Sequence, residues 1–246
     1  MGHSRLDTRL VAVGLAPTRS RARDLILRGY VMVNGTPCIK PGQELSCAAA
    51  VALIDGAPKF VSRGAEKLIA GLDHFGFDAT DRVALDIGAS TGGFTEVLLL
   101  RGARRVYAVD VGRQQLHSTL RCDPRVVSLE NQDARLLDAQ LIPDRIEAVV
   151  ADVSFISLTK VLGAAIALTS PGAWLVALVK PQFEVGRDGV GSGGIVRDEV
   201  KRDASVSAVA HWISSMAGWR MVGTLPSPIL GGSGNMEFLI GAQRYE

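Results

Sequence analysis

The string DIGASTGGFT, residues 86–95, lies between the apolar run VAL at 83–85 and a second run, EVLLL at 96–100. A strand that ends in a glycine-rich turn and passes straight into a helix accounts for that pattern. Glycines let the backbone turn tightly and let a ligand come close. The first turn of the helix offers N–H groups with no partner inside the helix. In open sheets of alternating strands and helices, ligands sit beyond the carboxyl ends of the strands. Asp86, Gly88, Ala89, Ser90, Thr91, Gly92, Gly93 and Phe94 are therefore the candidate cofactor cradle.

Outward from this turn the pattern repeats. Strand-like runs at 82–87, 105–109, 125–129, 147–151 and 173–179 are mostly separated by helical stretches at 92–101, 112–120, 157–169 and 199–217. Late strands fit 219–226 and 235–242. The alternation predicts an α/β fold: a doubly wound, mainly parallel, Rossmann-like sheet covered on both faces. Two further acids extend the cradle. Asp110 ends the second strand, 24 residues after Asp86, where a carboxylate can accept both hydroxyls of a ribose. Asp133 follows the third strand and is placed to meet an adenine amino group. The turn is not GxGxxG, and Asp86 stands before it. That arrangement favours S-adenosylmethionine over a dinucleotide, although a glycine-rich turn alone serves many cofactors.

Asp152, in VVADVSF at 149–155, and Lys180, in LVALVKPQF at 175–183, both end apolar strands at the ligand edge. A lone strand-end lysine is ordinarily a solvated side chain. An Asp and a Lys on one edge can instead hold a proton acceptor in place beside a cofactor. Lys67, on a helix over about 64–76, and Glu237, in GNMEF at 234–238, are two more candidates. Glu237 interrupts an apolar final strand, so it lies on a solvated face or is buried with a partner. Spacing alone brings neither residue to the site. The loop 184–196 carries five glycines and reads as a lid or as a plain surface loop.

The front of the chain differs in character. Residues 1–54 read as a helix-helix-hairpin unit, with Thr18 as a helix cap and Asn34-Gly35 as the turn between short strands at 30–33 and 37–40. A linker covers 55–63, and the large domain covers 64–246. Residues 1–63 hold nine Lys or Arg against four acids, while the whole chain is only +2. A basic front end suggests contact with a polyanion, or a solvated basic helix face. Arg5, Arg19, Arg21, Arg23, Arg28 and Lys40 are the candidate phosphate contacts. Aromatics are scarce there, so binding is expected to be led by charge and shape rather than stacking. The three cysteines at 38, 47 and 122 form no CxxC pair, which argues against zinc or a thioredoxin-like site and fits reduced thiols in the cytoplasm. No secretory signal opens the chain. The long uncharged stretch 161–179 is broken by TSPG at 169–172, against a membrane span.

Lys67, Asp152, Lys180 and Glu237 fall in the order Lys-Asp-Lys-Glu, which resembles the tetrad of the FtsJ-like ribose 2′-O-methyltransferases. The strings VSRGAEKL, DIGASTGGFTE, ADVSFISL, VKPQFEVG and SGNMEF closely resemble the TlyA family, and the front unit is similar to the αL RNA-binding domain. The resemblance covers essentially the whole chain. It implies a methyltransferase sheet preceded by a small α+β RNA-binding domain, with S-adenosylmethionine as cofactor and ribosomal subunits as partners. It implies methyl transfer to a cytidine ribose in ribosomal RNA, with Lys67, Asp152, Lys180 and Glu237 as the catalytic set. Lys180 would deprotonate or polarise the 2′-hydroxyl, Asp152 would orient Lys180, and no metal is called for. Members confined to the small subunit tend to have shorter ends, and this chain has no basic stretch before Arg5. That points to the small subunit. Two other readings are a membrane-active haemolysin, which needs an insertion element not found here, and a non-catalytic ribosome-binding factor, against which the complete tetrad argues.

Overall fold

The computed structural model describes residues 3–57, 60–186 and 189–245, and the chain divides between Arg63 and Gly64 into two units. The first holds β1 (His3–Arg5), α1 (Leu6–Ala12), α2 (Arg19–Leu27), β2 (Val31–Val33), β3 (Thr36–Pro37), β4 (Glu44–Ser46) and β5 (Val51–Leu53). Thr18 caps α2 by accepting the Arg21 N–H at 3.2 Å. Asn34 and Gly35 both take positive φ, at 49° and 78°, in the tight turn between β2 and β3. Leu6, Leu10, Ala22, Leu25, Ile26, Val31 and Leu45 form one core.

Two features depart from the sequence reading. The strand expected over 37–40 is the shorter Thr36–Pro37, whose ladder closes with the Cys38 N–H donating to Val31 O at 2.9 Å, where β2 begins. The antiparallel pair of β1 with β4 was not anticipated, since two three-residue strands carry no readable period. The linker residues 58 and 59 lie outside the described residues.

The second unit begins with α3 (Gly64–Phe75). There follow β6 (Val83–Ile87), α4 (Gly93–Leu100), β7 (Arg105–Asp110), α5 (Ser118–Arg121), β8 (Val126–Glu130), β9 (Ile146–Ala151) and α6 (Leu158–Ala167). It ends with β10 (Thr169–Val179), α7 (Pro181–Glu184), α8 (Glu199–Ser215), β11 (Trp219–Pro226) and β12 (Phe238–Arg244). Seven strands form one sheet in the order β11-β12-β10-β9-β6-β7-β8. β12 runs antiparallel to both its neighbours, and the β10-β9-β6-β7-β8 run is parallel. This is the mainly parallel, doubly wound sheet the alternation predicts. From β6 the chain proceeds through β7 to β8, then returns to place β9 on the other side of β6. The crevice between β6 and β9 is thus the switch point where ligands of such sheets bind.

The helix expected over 112–120 is reduced to Ser118–Arg121. The Glu130 carboxylate accepts the N–H groups of Gln114, Gln115 and Leu116 at 2.7, 2.6 and 3.0 Å, and His117 N–H goes to Thr91 O. Those amides are thereby withdrawn from a helical ladder. The last strand starts at Phe238 rather than at 235. β10 begins earlier than expected, at Thr169, and its pairing with β9 jumps between Thr169 and Trp174 around Gly172, whose φ is +81°.

In the first unit Asp7 is fully buried and receives Arg5 through two hydrogen bonds of 3.1 Å and Arg19 Nε at 3.2 Å. The Arg5 hydrogen bonds hold its carboxyl down to about 2 against burial, and Arg19 adds to the effect. Its stabilisation is therefore present above about pH 4 and lost as the pH falls through about 2. Asp7→Asn should destabilise the first unit by about 1–3 kcal/mol. Hydrogen exchange over residues 6–27 should quicken while the second unit stays unchanged; equal exchange in variant and parent contradicts this.

Candidate functional site

The turn after β6 is shaped by contacts that admit little but glycine. Gly88 has φ +80°, and a Cβ there would lie 2.7 Å from the Asp152 carbonyl oxygen at the end of β9. Gly92 has φ +99°, and its Cβ would meet Leu116 and Leu120. The Asp110 carboxylate ties the end of β7 to the turn. It accepts the Ser90 N–H at 2.8 Å and the Gly112 N–H at 2.7 Å. A cavity of about 510 Å³ opens beside this turn, in the size range of small-molecule sites. Gly88, Ser90, Asp110, Asp133 and Asp152 line it, with Gln115, Gln132, Arg135 and Phe155.

The other expected cradle residues sit behind this lining. Asp86 and Thr95 are fully buried, and the Thr95 hydroxyl donates to Asp86 at 2.6 Å. Phe94 is 3% exposed and packs in the core, a correction to its reading as a cofactor contact. Ala89, Thr91, Gly92 and Gly93 shape the turn without lining the cavity. Asp133 does line it, but its carboxylate is held by the Arg135 guanidinium at 2.5–3.0 Å, which keeps it below the usual range. Arg135 thus fixes the direction of the carboxylate that the sequence places to meet an adenine amino group. Gln115, Gln132 and Arg135 escaped the sequence reading because loop positions after strands carry no pattern of their own.

The turn is ringed by carboxylates. Burial drives Asp86 up to about 7, and the neighbouring Asp152 and Asp110 push in the same direction. Asp86 Oδ1 is buried with no hydrogen-bond partner. The cavity size, the close backbone approach at Gly88 and the Asp110 carboxylate at the end of β7 fit S-adenosylmethionine.

The tetrad residues gather at the same sheet edge. Register pairs Val179 with Phe238, so Lys180 and Glu237, one residue beyond each, lie at one end of neighbouring strands. Ala151 pairs with both Ile87 and Ala177, which brings Asp152 to that end too. Lys180 Nζ lies 2.6 Å from Asp152 Oδ1 and donates a hydrogen bond to Ser154 Oγ at 2.8 Å. The Asp152 contact is close as an ion pair but off the line of a hydrogen bond. Lys67 Nζ donates to Glu237 Oε2 at 2.5 Å, and both residues are 4% exposed. Glu237 is therefore buried with a partner. Gly71, one helical turn after Lys67, would place a Cβ 3.0 Å from Val176, so its bare backbone lets α3 approach β10 closely. Gly231 likewise leaves room for the Glu237 carboxylate. Of the glycine-rich loop 184–196, residues 187 and 188 lie outside the described residues. Asn235 fastens its far end, accepting Val196 N–H at 3.0 Å and donating to Gly194 O at 2.8 Å.

In the first unit, Arg5 and Arg19 are about half exposed and anchored on Asp7. Arg23 and Lys40 are exposed. Arg28 is half-buried over the Tyr30 ring. Arg21 departs from expectation: it is 4% exposed and bound to Asp24 at 2.6 Å, so its charge is spent inside the unit. Among the described residues no group of His, Cys, Asp or Glu is gathered that could hold a metal ion, and no helix is long and apolar enough to cross a membrane.

Residues 60–244 match the FtsJ-like methyltransferase family, and residues 4–46 match the S4 domain. The 16S/23S rRNA (cytidine-2′-O)-methyltransferase TlyA of Mycobacterium tuberculosis is 48% identical over 238 residues, covering 96% of this chain and 88% of that protein. Hemolysin A of Brachyspira hyodysenteriae is 40% identical, covering 96% of this chain and 98% of its own length. A solved structure from Streptococcus thermophilus, named as a candidate hemolysin, superposes with a TM-score of 0.78 at 38% identity, covering 100% of this chain and 90% of that one.

Ionising Asp86 costs more in the folded chain than in the unfolded one. Its contribution to stability is present below about pH 4 and lost as the pH rises through about 7. Asp86→Asn removes that dependence. The Tm difference between variant and parent should shift in the variant's favour from about pH 5 to about pH 8; a flat difference across that range would refute the assignment.

Proposed function

The chain belongs to the FtsJ-like methyltransferase family and carries an S4 domain ahead of it, and from that premise we propose that it methylates ribosomal RNA at the 2′-hydroxyl of a cytidine ribose, using S-adenosylmethionine. The observation that carries this reading is the Lys180 amine held against Asp152 and Ser154 at the rim of the cofactor cavity. When bound, S-adenosylmethionine supplies a methyl group already activated by its sulfonium. Gly88, Ser90 and Asp110 would hold it at the carboxyl ends of β6 and β7, with Asp133 at the third loop. What this chain must still provide is a competent nucleophile, because a ribose hydroxyl is a poor one at neutral pH.

Lys180 is the group we assign to that task. As a neutral amine its nitrogen takes the 2′-hydroxyl proton and becomes the ammonium that pairs with Asp152; as the ammonium it instead donates a hydrogen bond to the oxygen as charge develops there, and the hydroxyl proton leaves to water. Asp152 and Ser154 fix the direction of the amine. The Lys67–Glu237 pair closes the same edge and places the ribose. Orientation of this kind is worth orders of magnitude in rate, and a misplacement of about 1 Å can cost about 10²-fold. The first unit supplies the grip on RNA, through Arg5, Arg19, Arg23, Arg28 and Lys40 on phosphates. Both ribosomal subunits are candidate acceptors, the small one being the expectation from the sequence, and the cytoplasm, where the subunits are, is the place of action.

Lys180→Ala should lower methyl transfer by about 10²–10⁴-fold while cofactor affinity stays near the parent's. The assay is radiolabelled methyl transfer into separate undermethylated small and large subunits, with mass spectrometry locating the 2′-O-methylcytidine. Retained turnover in the variant, or methyl groups on a base, sinks the proposal. Arg23→Ala should weaken subunit binding and reduce the slope of log affinity against log salt by about one. An unchanged slope removes Arg23 from the phosphate contacts.

A further inference from the structure

The segment after β9 and the single turn α7 after β10 are laced together at three points. At one end, Lys180 binds Asp152 and Ser154. In the middle, the rings of Phe155 and Phe183 lie 5.1 Å apart, with Phe155 at φ +67°, a conformation that costs energy for a bulky side chain. At the other end, Glu184 accepts the Ser157 hydroxyl at 2.6 Å and the Leu158 N–H at 2.9 Å, at the N-terminus of α6. Glu184 does not line the cofactor cavity.

From this lacing we infer that Glu184 is a positioning residue for the methyl transfer: by pinning the 153–157 loop to α7, it keeps the Ser154 hydroxyl on the Lys180 amine. The inference rests on the reading of Lys180 given above. The geometry makes it specific. Ser154 belongs to a loop with one residue held at positive φ, so the loop relaxes unless its far end is tied. Ser157 and Leu158 are that far end, and Glu184 is three residues past Pro181 on the turn that starts at Lys180. The carboxylate therefore closes a ring of contacts that contains the reacting amine.

The test is steady-state methylation of undermethylated ribosomal subunits by Glu184→Ala, Glu184→Gln, Ser154→Ala and the Ser154→Ala/Glu184→Ala double variant, in the full chain. Glu184→Ala should lower kcat by about 10–100-fold with KM for subunits and Kd for S-adenosylmethionine within about threefold. Glu184→Gln can keep both ties, its carbonyl accepting the Leu158 N–H and its amide donating to Ser157 Oγ, and should recover most of kcat. The double variant should be no slower than the worse single one, because both changes act through one contact. Hydrogen exchange over 153–158 should quicken in Glu184→Ala and not in Glu184→Gln. An active parent matched within twofold by Glu184→Ala, additive losses in the double variant, or unchanged exchange in Glu184→Ala each overturn the inference. A parent that methylates no ribose fails instead on the underlying reading, and takes this role for Glu184 with it. Should Glu184→Ala not fold, Ser157→Ala removes one of the two ties and is expected to reproduce the kcat loss in part; a parental kcat and exchange in that variant count against the ring.

Discussion

Most of the second unit's site hangs on one close backbone approach. Gly88 and Asp152 meet where β6 and β9 lie side by side, with no room for a Cβ between the turn and the Asp152 carbonyl. The Asp152 N–H also donates to Ile87 O at 3.0 Å, continuing the ladder past the strand ends. The glycine-rich turn and the Asp152–Lys180 ion pair are consequently built on one joint. Any residue larger than glycine at 88 would push the two apart and move the Lys180 partner away from the cavity it lines. The strand order produces this juxtaposition, because only at a switch point do two successive strand ends diverge to leave a crevice.

The charges at that edge follow from the same crowding. Burial raises the cost of ionising Asp86, and the neighbouring Asp152 and Asp110 carboxylates raise it further. Lys180 offsets that crowding on the side of Asp152, and a cationic ligand in the cavity would do so on the other. The Lys67–Glu237 pair is a different case. Two charges taken out of water gain roughly what they lose, and apolar residues of the same size would serve stability as well. Its burial between α3 and β12 is better explained by geometry. It fixes the start of β12 against α3, and with it the edge that faces Lys180.

The sheet was legible because its signals are local and periodic. DIGASTGGFT reads as strand, turn and helix without any knowledge of the rest, and Asp152 and Lys180 each stand at the end of an unbroken apolar run. What stayed hidden depends on partners distant in sequence. Lys67 and Glu237 are 170 positions apart, and nothing in either neighbourhood signals the other. Glu130 unwinds the expected helix over 112–117 by taking three of its amides, a long-range effect that propensity cannot register. Arg21 looks like its neighbours Arg19 and Arg23 in the sequence. Only the packing of α2 turns it inward to Asp24. Glu184 belongs to the same class, since its partners are 26 and 27 residues away on another element.

By charge alone, a buried acid in a basic unit works against the binding of a polyanion. Asp7 removes one positive charge from a segment whose balance is +5, with nine basic residues against four acids. Yet its two carboxylate oxygens fix Arg5 and Arg19, which come from separate elements, and leave both guanidiniums about half exposed. An arginine free in solvent gives up about 0.5–1.5 kcal/mol of side-chain freedom when a phosphate immobilises it. Two that are already held give up less. The field lost to Asp7 is long-range and screened by salt within about 10 Å, whereas the orientation gained acts at contact distance and is not screened. On that balance, if Arg5 and Arg19 contact phosphates as proposed, the carboxylate would serve that surface better than a third free cation in its place.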